Sequence, residues 1–300
     1  MLKDVLRRCI GLLGLPLLLG GAPAPHAAPP AAHPAMWAVS DADTTIYLFG
    51  TIHLLPSNYQ WQTPKFRDAI GKSDELVVET IIDLEHPQSF QMDLSRLGYS
   101  QTRLPPIIDR VPPAKRPLLR TAIAASGIPE SSYNLMETWF AAFQLLGVQF
   151  RALGLEAQEG PEQALKLAFT AAAKPIGQLE TNAEQLGYFD TLSEKAQRDL
   201  LEGSIETSTN TAKEFQGMLS AWARGDVPGI GRSFNRDLST SPEVAKALIA
   251  RRNANWSRWI EQRMAKPGSI MIAVGAGHLA GKGSVVDLLK RDGYKVTRVQ

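Results

Sequence analysis

The chain has 300 residues, with 32 basic and 30 acidic side chains and one cysteine, Cys9. Beyond residue 36 the balance is 29 basic to 29 acidic, which excludes the basic stripe a nucleic-acid binder needs. With Cys9 confined to the N-terminal segment, the rest of the chain has no disulfide framework, thiolate metal site or cysteine nucleophile.

Lys3, Arg7 and Arg8 precede an apolar run from Cys9 to Leu19, followed by Ala22-Pro23-Ala24 and a Pro/Ala-rich stretch. This is the three-part layout of a secretory signal peptide, with an apolar core too short to span a bilayer. Residues 1–36 are therefore expected to direct export, to the periplasm or beyond it. Membrane association is expected only if that segment stays uncleaved. Residues 37–300 are long enough for one large domain.

Met36 to Val39 and Ile46 to Gly50 read as a hairpin around Asp41-Ala42-Asp43. A helix is expected from Pro64 to Ile70, then a strand, Leu76 to Val78, that ends in Glu79-Thr80. Residues 87–170 read as a helical insertion. One helix there runs from Pro112 to Ala125 and is closed by Gly127; another runs from near Tyr133 to Gly154, and a third starts at Pro161. The strand Pro175 to Leu179 ends in Glu180-Thr181, and residues 183–265 form a second helical block, its last helix starting near Pro242. The apolar run Ile270 to Val274, a helix over 284–291 and a strand over 295–299 close the chain.

Two phrases repeat. Ile46 to Gly50 and Ile270 to Gly275 are apolar runs that stop at a glycine, and His53 and His278 follow three residues after Gly50 and Gly275. Continuous apolar runs of this length mark strands buried on both faces, and glycine permits a sharp turn beyond them. Glu79 and Glu180 likewise close apolar strands, so the order is His, Glu, Glu, His. The expected fold is α/β: a central mixed sheet of two similar halves facing each other, with helices around it and large helical insertions. Open α/β sheets place ligands at the carboxyl ends of their strands.

His53, His278 and one or two of the glutamates make a plausible open site for zinc, manganese, cobalt or iron. A glutamate outside that shell could take a proton from water. His86, beside Pro87, reads as structural or exposed. Of Arg251 and Arg252, one is expected to be solvated, while a buried one could hold a site carboxylate or stabilise an oxyanion. Walker, dinucleotide, His-Glu-x-x-His and Gly-x-Ser-x-Gly motifs are missing from the sequence.

Leu48 to His53, Glu79, Gln178 to Thr181 with Gln185, and Val274 to Leu279 with Gly283 and Gly293-Tyr294 resemble the TraB/GumN family. Arg252-Asn253 with Trp256 also resembles its segment before the last strand, which favours Arg252 over Arg251. Gly160-Pro161-Glu162 stands where the family often has Gly, an aliphatic residue and Asp, which leaves the role of that acidic group open. The resemblance implies kinship with Tiki-type metal-dependent proteases and a wider group of erythromycin-esterase-like and haem-binding ChaN-like proteins. It implies an exported metal-dependent hydrolase, a peptidase by preference. His53, Glu79 and His278 would hold a divalent zinc, manganese or cobalt ion, and Glu180 would be a further ligand or general base. Arg252 and Asn253 would position substrate or stabilise the tetrahedral intermediate. The alternatives are a metal-independent esterase-like hydrolase and a non-catalytic haem- or metal-binding protein.

Overall fold

A computed structural model describes residues 32–56, 59–82, 86–155, 160–205, 208–238 and 241–300. The expected signal segment lies outside the described residues up to residue 31. The backbone amides of Ala32 and His33 already bond Gln60 and Ala223, so the folded unit reaches slightly upstream of residue 37.

The described strands form one six-stranded sheet. They are β1 (Met36–Ser40), β2 (Thr44–Thr51), β3 (Glu75–Val78), β4 (Ile176–Gln178), β5 (Gly268–Gly275) and β6 (Val296–Arg298). Their order is β4-β3-β5-β2-β1-β6. The β1–β2 hairpin is antiparallel, as is the β1–β6 edge, whereas β2–β5, β5–β3 and β3–β4 are parallel. The sheet is thus mixed, as expected, but its halves interleave in one layer instead of facing each other across two. Each strand carrying Gly-x-x-His lies beside its counterpart, with Ile46 opposite Ile270 and Thr51 opposite Gly275. The glutamate strands pair in the same way, Val78 opposite Gln178.

The uninterrupted apolar runs are explained by cover on both faces. Met36, Phe49, Leu76, Val78, Met271 and Ala273 join one core, with Trp61, Phe66 and the helical insertions. Ile46, Leu48, Val77, Ile270, Ile272 and Val274 join the other, against Trp256, Ile260, Val285 and Leu289. Each Val, Leu, Ile, Phe or Met side chain among them, fully buried, contributes roughly 1.5–3 kcal/mol.

Along the chain the helices are α1 (Pro64–Lys72), α2 (Gln88–Gly98), α3 (Arg116–Ser126), α4 (Glu130–Tyr133) and α5 (Thr138–Ala152). They continue as α6 (Pro161–Ala171), α7 (Asn182–Asp190), α8 (Glu194–Ser204), α9 (Ser208–Ala223) and α10 (Val227–Leu238). The last are α11 (Pro242–Ala245), α12 (Arg251–Met264) and α13 (Val285–Arg291). Two expected helices start late. The helix expected from Pro112 begins at Arg116. Pro117 is tolerated in a first turn, where a missing N–H costs nothing, but not in a helix interior. The helix expected from Tyr133 begins at Thr138, because Tyr99 pairs with Met136 and the Glu137 amide bonds Gly98. A π-helical turn, Lys246–Ala250, joins α11 to α12 and ends two residues before Arg252.

Candidate functional site

The carboxyl ends of β2, β3, β4 and β5 bring together His53, Glu79, Glu180 and His278, all within 5% exposed. The helix α12 adds Arg252 and Asn253, which are also buried. Arg251 points to solvent, so the arginine pair divides as the sequence suggested. His86 is exposed.

Arg252 is the hub. Its Nη2 donates to Glu79 Oε2 at 2.6 Å and to Glu180 Oε1, its Nε donates to Glu180 Oε2 at 3.2 Å, and its Nη1 lies 3.2 Å from His278 Nε2. Four of its five N–H groups are therefore committed. Its guanidinium carbon also stands 4.6 Å from the Trp256 ring centroid and 5.6 Å from that of Tyr188, a favourable cation–π arrangement. Burial disfavours the charge, but the two carboxylates outweigh it and hold Arg252 as a permanent cation.

Glu79 ties the sheet end as well as the guanidinium. Its Oε1 accepts the Gly275 amide at 2.7 Å, which anchors the turn Ala276–Leu279 carrying His278. Gln185 Nε2 reaches Glu79 Oε2 at 3.4 Å and Glu180 Oε1 at 3.3 Å. Burial pushes the Glu180 carboxyl up, against the pull of Arg252. Two carboxylates facing one guanidinium leave an excess of negative charge, which protonation relieves.

His278 is neutral by construction. Its Nδ1 lies 2.6 Å from Asn253 Oδ1, while Asn253 Nδ2 donates to the Gly283 carbonyl at 2.8 Å. The amide orientation assigns the proton to Nδ1 and leaves the Nε2 lone pair facing Arg252. Burial, then the charges of Arg252 and His53, push the His278 imidazolium pKa well below its ordinary value. Trp256 packs against the ring at 4.4 Å between centroids. Asn253 acts here through His278, its amide being engaged at both ends.

His53 has a different partner. Its Nδ1 sits 2.5 Å from Glu162 Oε1, a contact lying off hydrogen-bond alignment, so neither ring nitrogen has an aligned partner among the described residues. Thr51 Oγ1 donates to the same Glu162 oxygen. Burial alone would raise the Glu162 carboxyl, but the His53 charge and contact, then Thr51, hold it below the ordinary range. Glu162 and Gln185 are the contributors that residue-level reading did not assign. The signals were the Gly160-Pro161-Glu162 helix start and the turn after Glu180-Thr181, where a capping box opens α7.

A divalent metal would need free lone pairs from these side chains. Both histidines present Nε2 away from an oxygen at Nδ1, the pattern of metal-bound imidazole. Yet Glu79 spends both oxygens on Gly275 and Arg252, and His278 Nε2 faces Arg252. Among the described residues no three histidine, cysteine or carboxylate side chains form a ready ligand set. As arranged, the donors do not fit a metal unless Arg252 gives way.

Comparison with known proteins agrees with the sequence phrases. The uncharacterized protein YbaP of Escherichia coli K12 is 24% identical over 247 residues, covering 81% of this chain and 87% of that protein, and YbaP of Shigella flexneri matches equally. No solved structure matches significantly. A model of the TraB/PrgY/gumN family matches residues 35–298, nearly the whole described structure, and the chain belongs to that family.

Proposed function

We propose that the chain is an exported hydrolase in which His53 takes a proton from water at the carboxyl edge of the sheet. One observation carries this reading: His53 Nε2 is buried and free of hydrogen bonds among the described residues, while Nδ1 is held against a carboxylate. That is the disposition of a general base. The water O–H bond breaks toward Nε2 as oxygen bonds to an acyl carbon. The imidazolium then returns the proton to the departing group. Arg252 holds Glu79, Glu180 and His278 in place, and its remaining Nη1 N–H is available to a developing oxyanion. A peptide substrate and export rest on the family resemblance and on the N-terminal layout.

A second reading, a divalent metal on His53, Glu79 and His278 with Glu180 nearby, rests on the family resemblance and requires Arg252 to release Glu79 and His278. Metal analysis of untagged protein, with hydrolysis of p-nitrophenyl acetate and a fluorogenic peptide panel before and after EDTA dialysis, separates the two. Turnover that survives EDTA and is lost in His53→Ala supports the base mechanism. One equivalent of metal, lost in both His53→Ala and His278→Ala, supports the metal reading. No turnover of any probe, with or without added zinc, manganese or cobalt, sinks the base mechanism, and no bound metal in the wild type sinks the metal reading.

A further inference from the structure

The sequence left Glu162 without a role, and the fold places it against His53. Helix α6 opens at Gly160 with Pro161 in its first turn and Glu162 beside it, where the helix dipole favours a carboxylate. Leu165 and Phe169, both fully buried, pin that helix to the core. The carboxylate is thereby set over the end of β2, where it meets Thr51 and His53 together. These two residues are spaced two apart, and both address one oxygen, Oε1. Lys166, one helical turn beyond Glu162 and only partly exposed, feels the same carboxylate as a counter-charge. The carboxylate, only 17% exposed, is thus held by Thr51 and set against the Nδ1 side of the imidazole.

We infer that Glu162 is a positioning residue that fixes His53 with its Nδ1 proton toward the carboxylate and its Nε2 lone pair toward the reacting atoms. The inference deepens the hydrolase reading and rests on it for its catalytic consequence, but the tautomer can be measured without turnover. An aspartate at this position would keep the charge and shorten the reach by one methylene. A glutamine would keep the reach and remove the charge.

The test is nitrogen-15 NMR of histidine-labelled protein near pH 9, well above the ordinary histidine range, with His53 assigned by comparison with His53→Ala. The wild type should show Nδ1 protonated and Nε2 bare. In Glu162→Gln the Nε2-protonated form should appear. On p-nitrophenyl acetate, kcat should fall about 100-fold or more with KM changed by less than about twofold, the pattern of a misplaced base. Glu162→Asp should restore the tautomer and part of kcat. Thr51→Val, which leaves the charge in place, provides a milder perturbation should Glu162→Gln fail to fold, and should shift the tautomer in the same direction. A wild-type tautomer together with an unchanged kcat in both Glu162→Gln and Thr51→Val would overturn the inference. A tautomer shift in a protein without turnover on any probe would uphold the positioning and remove the hydrolase reading.

Discussion

Arg252→Met removes the guanidinium that joins Glu79 and Glu180, while the apolar Met side chain keeps much of the packing under Trp256. The loss can be bounded from the contacts. Nη2 serves both carboxylates, Nε serves Glu180, and Nη1 faces His278. Deleting one partner of a buried ion pair costs about 3–5 kcal/mol, because the remaining charge stays buried and uncompensated. Two carboxylates share the guanidinium here, so the upper half of that range is expected, equivalent to a Tm decrease on the order of 10 °C. Urea unfolding followed by far-UV circular dichroism measures it. The penalty should shrink on acidification, since protonated carboxyls need no counter-cation, and Glu180→Gln added to Arg252→Met should recover part of the loss. A destabilisation under about 1 kcal/mol would refute the reasoning, because it would mean that the network is hydrated and the ion pair is not held in a dry core.

Gly50→Ala should cost about 1–3 kcal/mol by the same urea assay, because the new Cβ would lie 3.0 Å from Ala276 Cα and 3.2 Å from Ala276 Cβ. That backbone belongs to the turn bearing His278, so esterase or peptidase turnover should fall with stability; an unchanged urea midpoint would show that the end of β2 does not pack against that turn. The third prediction concerns pH. His278 is held neutral in the folded protein and is protonated near its ordinary value of 6.5 when unfolded. The unfolded state therefore binds more protons below that pH. The His278 contribution is full above about pH 6.5 and is lost on acidification at about 1.4 kcal/mol per pH unit. Glu180, raised in the folded state, acts with the opposite sign, its contribution being lost as pH rises through the raised value. His278→Asn should flatten the wild-type loss of stability between about pH 6.5 and 5; equal slopes in the two proteins would show that His278 does not titrate as described.

How far the site was legible follows from the range of the interactions involved. Strand ends at Gly50, Glu79, Glu180 and Gly275 could be read because each is written in a few adjacent residues: an apolar run and the group that stops it. Arg252 could be separated from Arg251 by residue type alone only as a pair of which one is buried; the structure makes the choice by turning Arg252 under Trp256 and onto carboxylates 72 and 173 residues away. The late starts of α3 and α5 have the same origin. Pro117 set one boundary locally, and it could have been read. The other was set by the pairing of Tyr99 with Met136, which no local pattern encodes.

What this sequence determined by itself was the inventory and its placement: two histidines and two glutamates just past strand ends, three of those strands buried and the one before Glu180 a half-exposed edge, within an α/β domain rich in helical insertions. Hydrophobic period and turn residues are short-range properties, and they survive without knowledge of neighbours. Only the tertiary structure decided that the repeated strands lie side by side, and that Arg252 binds the two glutamates and His278 into one network. It likewise decided that Glu162, 111 residues from Thr51, closes on His53. Those contacts are non-local and electrostatic. A charge is legible in a sequence, but the partner that makes its burial tolerable is fixed by the fold.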